Sequence, residues 1–432
     1  MRMLRGVLVA GLILLVIAVT FGDGTVMSYA DLDQPAIQYN TQTLHDPGTQ
    51  LNRKIQYGEV HLKFDGPQGY LRSMLDALDV PIQSQLVVFS KTSFQADRIN
   101  PHNPRSLFFN DSVVVGWVRG GPIIEVAAED PKQGMIFYKL SQNPAQKVRL
   151  SRDVNCLACH VSYASLGVPG TLMRSVFPAP NGATVSKLGQ YLTDDRSPFA
   201  QRWGGWYVTG STGSMPHMGN SVVNKAGRLH PMLQGQPRNL ESLQSHFDTA
   251  AYLSPYSDVV ALMVFEHQMH MMNLFTRVGW DVRGSLYRDE MNPDRGHAAT
   301  ARIIRESARE LVDYMLFVDE APMTSRVRGT SGFAEKFSTE GPTDSQGRSL
   351  RQFDLQHRLM RYPCSYMIYS DAFDALPDEL KSAVYERMWE ILSGQEKEKK
   401  YAKLTFADRK AVVEILRDTK KRLPDYFQPI RR

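Results

Sequence analysis

Cys156-Leu157-Ala158-Cys159-His160 is the feature that most narrows what this chain can be. Two thiols three positions apart, followed at once by an imidazole, form the Cys-x-x-Cys-His pattern of covalent haem attachment. The chemistry sets the spacing. Two sulfurs must reach the two vinyl groups on one porphyrin edge, and the next side chain must fold over that face to meet the iron. With 3 cysteines and 11 histidines in 432 residues, chance would produce the pattern about 0.0005 times per chain.

Other uses of the two thiols fit less well. A redox dithiol belongs at the strand-to-helix junction of a βαβ unit. Here Arg149 to Asn155 precedes the pair, and a Gly/Pro-rich stretch follows. A structural zinc site needs a second pair of Cys or His at finger-like spacing, which the sequence lacks. A plain disulfide is the remaining alternative. The third cysteine, Cys364, sits among aromatics in Tyr362-Pro363-Cys364-Ser365-Tyr366 and reads as a small buried hydrophobe.

The amino terminus agrees with a haem-bearing exported protein. Arg2 and Arg5 precede an uncharged apolar run from Gly6 to Gly22, and Asp23 is the first acid. A basic head before such a run is an export signal or anchor, with the arginines held in the cytoplasm. Residues 1–30 are therefore expected to be a signal peptide or N-terminal membrane anchor. The lack of a good small-x-small site directly after the run favours a retained anchor. The mature chain is expected in the periplasm or on the outer face of the cytoplasmic membrane, where haem is joined to c-type proteins. A net charge of +5, from 50 basic and 45 acidic residues, gives no reason to expect nucleic-acid binding. The Lys397–Lys400 and Lys420–Arg422 clusters read as solvated helix faces. Expected partners are a redox protein, the cytochrome c maturation machinery and the membrane.

His160 is the proximal iron ligand implied by the motif. The opposite face is open to several candidates: Met173, Met215, His217, Met218 and His230. Met218 leads them, 58 residues after His160 in Gly213-Ser214-Met215-Pro216-His217-Met218-Gly219-Asn220. Glycine and proline around a soft ligand suit a loop approaching a flat cofactor. A thioether there raises the reduction potential, an imidazole lowers it, and an open position permits ligand chemistry. A carbonyl near Pro169 is placed to accept the Nδ1 proton of His160, which would fix the ring and raise its basicity. Arg174, Arg196 and Arg202 are candidates for pairing with propionates. Trp203-Gly204-Gly205-Trp206-Tyr207 offers aromatics for a porphyrin face or for the core.

These segments together resemble a family of exported bacterial proteins known as uncharacterised cytochrome c domain proteins. The likeness runs through Cys156 to His160, Leu166-Gly167-Val168-Pro169-Gly170, Arg174-Ser175-Val176-Phe177-Pro178, Arg202 to Gly210 and His217-Met218-Gly219-Asn220. It extends to Leu86–Gln95 upstream and Cys364–Ser370 downstream. The resemblance implies one covalent haem c and an electron-transfer role, without naming a substrate. Unlike small soluble cytochromes c, the chain has no clear amphipathic helix just before Cys156.

Hydrophobic periodicity predicts an α+β protein in three parts. Residues 31–140 form a mixed, strand-rich region, with strands over Gln85–Phe89, Val113–Val118, Ile123–Ala127 and Met135–Leu140 and a helix over Leu71–Leu78. Residues 141–240 form a loop-rich haem-binding segment. Residues 241–432 are mainly helical, with a Ser257-Asp258 cap on a long helix through Phe275 and further helices over Ala298–Phe317, Pro377–Leu392 and Thr405–Lys421. A loop is expected around 325–348. Within the long helix, Glu266, His267 and His270 miss the usual helical metal spacings and read as a polar seam. Asp194-Asp195-Arg196 reads as a capped turn. The function expected first is electron transfer through a single haem. A peroxidase-like haem enzyme with an open iron position, or a haem-based sensor or assembly partner, are the alternatives.

Overall fold

The computed structural model describes residues 31–232 and 239–430; the predicted export segment, residues 1–30, lies outside them. Asp46 caps α1 (Pro47–Gln56) by accepting from the Thr49 amide, and Pro47 stands at the start, where its missing N–H costs nothing. A second short helix, α2 (Leu71–Ala77), turns Leu71, Met74 and Leu75 inward. Six strands follow: β1 (Leu86–Val88), β2 (Arg105–Phe109), β3 (Val113–Val118), β4 (Ile123–Asp130), β5 (Gly134–Ser141) and β6 (Ser151–Arg152). The chain then makes a short turn, α3 (Leu157–His160), and the small strands β7 (Arg174–Val176), β8 (Gln190–Leu192), β9 (Trp206–Tyr207), β10 (Ser221–Val223) and β11 (Leu229–Pro231).

One sheet organises the molecule. Its order is β6-β5-β4-β3-β2-β1-β9, antiparallel throughout. Side chains alternate between its faces. Tyr138, Ile136 and Leu140 of β5 join the α1 and α2 side, whereas Met135 and Phe137 join the opposite side. Both faces are covered, so β3 is buried from end to end.

The opposite cover is α4 (Val259–Met291), a helix of 33 residues. Asp258 caps it, as its sequence suggests, by accepting from the Val260 and Ala261 amides. From Val259 to Trp280 it is buried almost all round, the pattern of a helix enclosed within a domain. It runs well past the expected end at Phe275. Around it pack α5 (Ala298–Met315), α6 (Phe333–Ser338), α7 (Asp371–Asp374), α8 (Asp378–Ser393) and α9 (Phe406–Thr419). The expected 325–348 loop thus contains one short helix, α6. Among the described residues no helix is long and apolar enough to cross a membrane.

The α+β class holds, but the three predicted parts share structure. The haem segment supplies β9, which pairs with β1, and one core joins residues from the sheet, this segment and the carboxy-terminal helices. Within the lysine clusters, Lys397, Lys399, Lys421 and Arg422 are exposed as expected, and two members are tied down. Lys400 reaches Asp313, and the buried Lys420 reaches Asp374.

Candidate haem-attachment site

The Cys-x-x-Cys-His turn hangs from the edge strand of the sheet. β6 pairs with β5 through Tyr138–Arg152 and Lys139–Ser151. The amide of Asp153 then donates to the Phe137 carbonyl, continuing the ladder. The Asp153 carboxylate accepts from the Asn155 amide and meets Lys139 Nζ at 2.9 Å. A single turn of 3-10 helix (Val154–Cys156) runs directly into α3. Cys156 and Cys159 therefore sit one helical turn apart, on the same side. Both are free thiols, Cys156 half-buried and Cys159 exposed.

The imidazole turns back over the sheet. His160 packs on the Phe137 ring at a centroid distance of 4.5 Å. Its Nδ1 lies 2.8 Å from the Gly170 carbonyl, the backbone acceptor expected near Pro169. Nδ1 thus donates there, and Nε2, which has no hydrogen bond among the described residues, is the nitrogen left for a metal. Burial, followed by the Arg105 charge, lowers the imidazole's proton affinity against the opposing pull of the Gly170 bond. A neutral ring is the form that binds iron.

The 160–170 loop is pinned at several points. Val161 bridges Pro169, the Gly170 amide donates to the His160 carbonyl, and Ser165 Oγ donates within the same turn. The Pro169 carbonyl accepts from the Met135 amide at the end of β5. From the other side, α4 holds the loop. Asn273 donates to the Thr171 carbonyl at 2.6 Å and accepts from the Thr171 amide at 3.1 Å. Glycine is required at 170 by this contact, because a Cβ there would stand 2.1 Å from Asn273 Oδ1.

Each of the other candidates has its own surroundings. Met218 is 4 % exposed, and its sulfur accepts from Ser175 Oγ at 3.5 Å. Its methyl group would be 2.9 Å from a Cβ on Gly204. Met215 accepts the Thr324 amide through sulfur, Met173 is buried, and His217 is buried with its ring against Trp203. His230 lies exposed on the β10–β11 hairpin. No described hydrogen bond or ring contact joins Met218 to His160.

The three expected propionate arginines all have protein partners. Arg202 and Glu266 form a buried pair at 3.1 Å, Arg196 binds Asp194, and Arg174 binds Gln190. Trp203, Trp206 and Tyr207 are core residues. The polar seam on α4 is real and deep: His267 Nε2 meets Ser365 Oγ at 2.8 Å, and its Nδ1 faces Asp195 at 3.5 Å. Burial and the nearby Asp195 charge raise the Tyr314 hydroxyl well above its ordinary range. Ser365 and His267 are fully buried, and this chain of groups fastens the 194–203 segment to the helices.

Cavities of about 120 and 460 Å³ open beside Arg196 and Asp319, the smaller lined also by Asp195 and Tyr314. Sequence reasoning missed Phe137, Asn273, Arg105 and Glu125 around the turn. The last two were legible as opposite charges within otherwise apolar strands.

No family model, curated protein or solved structure matches this chain. The site therefore stands on its own chemistry. Among the described residues, no group of three His, Cys, Asp or Glu side chains could hold a metal ion alone. A reactive dithiol needs a depressed thiol pKa. Burial, then Asp153 and Glu125, push Cys156 the other way, to about 11. Covalent haem asks for what is present: two unpaired thiols on one turn, an oriented imidazole with Nε2 unused, and apolar surface. Val154 and Tyr163 flank the turn at 55 % and 75 % exposure.

Proposed function

We propose that this chain is an exported monohaem c-type cytochrome whose work is electron transfer. The observation that carries the reading is the His160 Nδ1–Gly170 carbonyl bond beside two unpaired thiols. It leaves one nitrogen to bind iron and fixes the direction in which that nitrogen is offered. The bound haem would supply a one-electron couple. Cys156 and Cys159 would tether it, and the Gly170 carbonyl would raise the basicity of the ligating ring.

Met218 is assigned to the opposite face, because a buried thioether whose one hydrogen bond among the described residues is a weak one from Ser175 can exchange that bond for iron. Ligation needs this contact to break. The expected setting is the outer face of the cytoplasmic membrane, held by residues 1–30, with a redox protein as partner. The family of exported cytochrome c domain proteins fits the same reading.

The absorption spectrum of the purified protein tests it. Low-spin ferric and ferrous spectra, with a methionine-to-iron charge-transfer band lost in Met218→Ala, are expected. A high-spin ferric spectrum with immediate cyanide binding would replace the carrier by a haem enzyme with an open iron position. A low-spin spectrum whose band survives Met218→Ala would move the ligand to another residue.

A further inference from the structure

Arg105 and Glu125 form an ion pair of 2.5 Å on the sheet face that carries His160. The register places them beside the attachment turn. Glu125 pairs with Lys139 and Ala127 with Phe137, so Glu125 is the diagonal neighbour of the ring on which His160 rests. Ser93 Oγ donates to the same carboxylate at 3.0 Å. Both charges act on the imidazole, Arg105 lowering and Glu125 raising its proton affinity.

The guanidinium has more donors than partners. It lies against the β3 backbone at Gly116, where a Cβ would stand 2.5 Å from Nη2 and 3.0 Å from Nε. Its Nε is buried without a hydrogen-bond partner. An arginine carries five N–H donors, and here one carboxylate serves them. The side chain keeps 20 % exposure, so a ligand can reach it.

We propose that Arg105 is the cationic anchor for a haem propionate, with Gly116 as the shelf beneath its guanidinium and Glu125 as the group that orients it. The inference rests on the haem reading above. A fixed cation beside the haem favours the ferrous state, which carries one positive charge fewer, and Glu125 acts in the opposite sense.

The test uses full-length protein made in a host competent in cytochrome c maturation, with redox titration of wild type, Arg105→Gln, Arg105→Lys and Glu125→Gln. All four are expected to retain thioether-bound haem. At a fixed ambient potential the ferrous-to-ferric ratio should fall about tenfold in Arg105→Gln, equivalent to 59 mV for a one-electron couple. It should rise in Glu125→Gln and stay near wild type in Arg105→Lys. Unchanged ratios in both glutamine variants would overturn the proposal, leaving the pair as a stitch between β2 and β4. If Arg105→Gln does not fold, the sign of the Glu125→Gln change decides alone. Wild type without haem would refute the functional reading instead.

Discussion

Replacing Gly170 by alanine strikes the point where α4 holds the loop that orients His160. The added Cβ would meet Asn273 Oδ1 at 2.1 Å and Cγ at 2.8 Å. Asn273 cannot swing aside cheaply, because its amide group makes both bonds to Thr171. Moving it breaks two buried hydrogen bonds, each worth about 1 kcal/mol net and more where a buried group is left unpaired. The expected cost is about 2–4 kcal/mol, read as a lower denaturant midpoint at unchanged slope. Asn273→Ala alone should cost a similar amount, by stranding the Thr171 amide and carbonyl. The double variant is the informative one. With Asn273 already truncated the clash is gone, so the two costs should fall short of adding by about 1.5 kcal/mol or more. Full additivity would refute the claim that Gly170 is required by Asn273.

Glu129 is buried with no ion-pair partner among the described residues, and Asp111 and Asp130 lie near it; burial first and these neighbours second push its carboxyl up to about 8 from an ordinary 4.5. The folded chain then holds a proton that the unfolded chain has lost, so stability should fall as pH rises from 4.5 to about 8. Glu129→Gln should remove that dependence and be the more stable protein at pH 8, by up to ~4 kcal/mol; parallel melting curves for both proteins from pH 5 to 8 would contradict it. Glu266→Ala should cost about 3–5 kcal/mol, because it strands a buried Arg202. Glu266→Leu with Arg202→Met should recover most of the loss in urea unfolding, and no recovery would show that the pair does more than neutralise itself.

Much of the fold was legible because it rests on local pattern. β3 spans the predicted Val113–Val118, Asp258 caps the helix it was expected to cap, and the helix expected over Thr405–Lys421 runs over Phe406–Thr419. β2 was missed because Arg105 and Ser106 break the apolar alternation at its start, and Arg105 meets its partner Glu125 only across the sheet. β9 is two residues long and exists through its pairing with β1, which no local pattern announces. The same division holds at the site. The thiols and His160 are adjacent in sequence, and a glycine-rich loop just downstream made the Nδ1 acceptor foreseeable. Phe137, Arg105 and Asn273 come to the turn from distant strands and a helix. The protein partners of the candidate propionate arginines were illegible for a related reason: Glu266, which meets Arg202, is 64 residues away.

The central claim is that Cys156 and Cys159 become thioethers. Intact mass and a pyridine haemochrome spectrum of the protein from a maturation-competent host test it most directly. The mass of the polypeptide plus one haem, resistant to acid–acetone extraction and lost when both cysteines are changed to serine, is the result expected. Bare polypeptide mass with no Soret absorption would contradict the account.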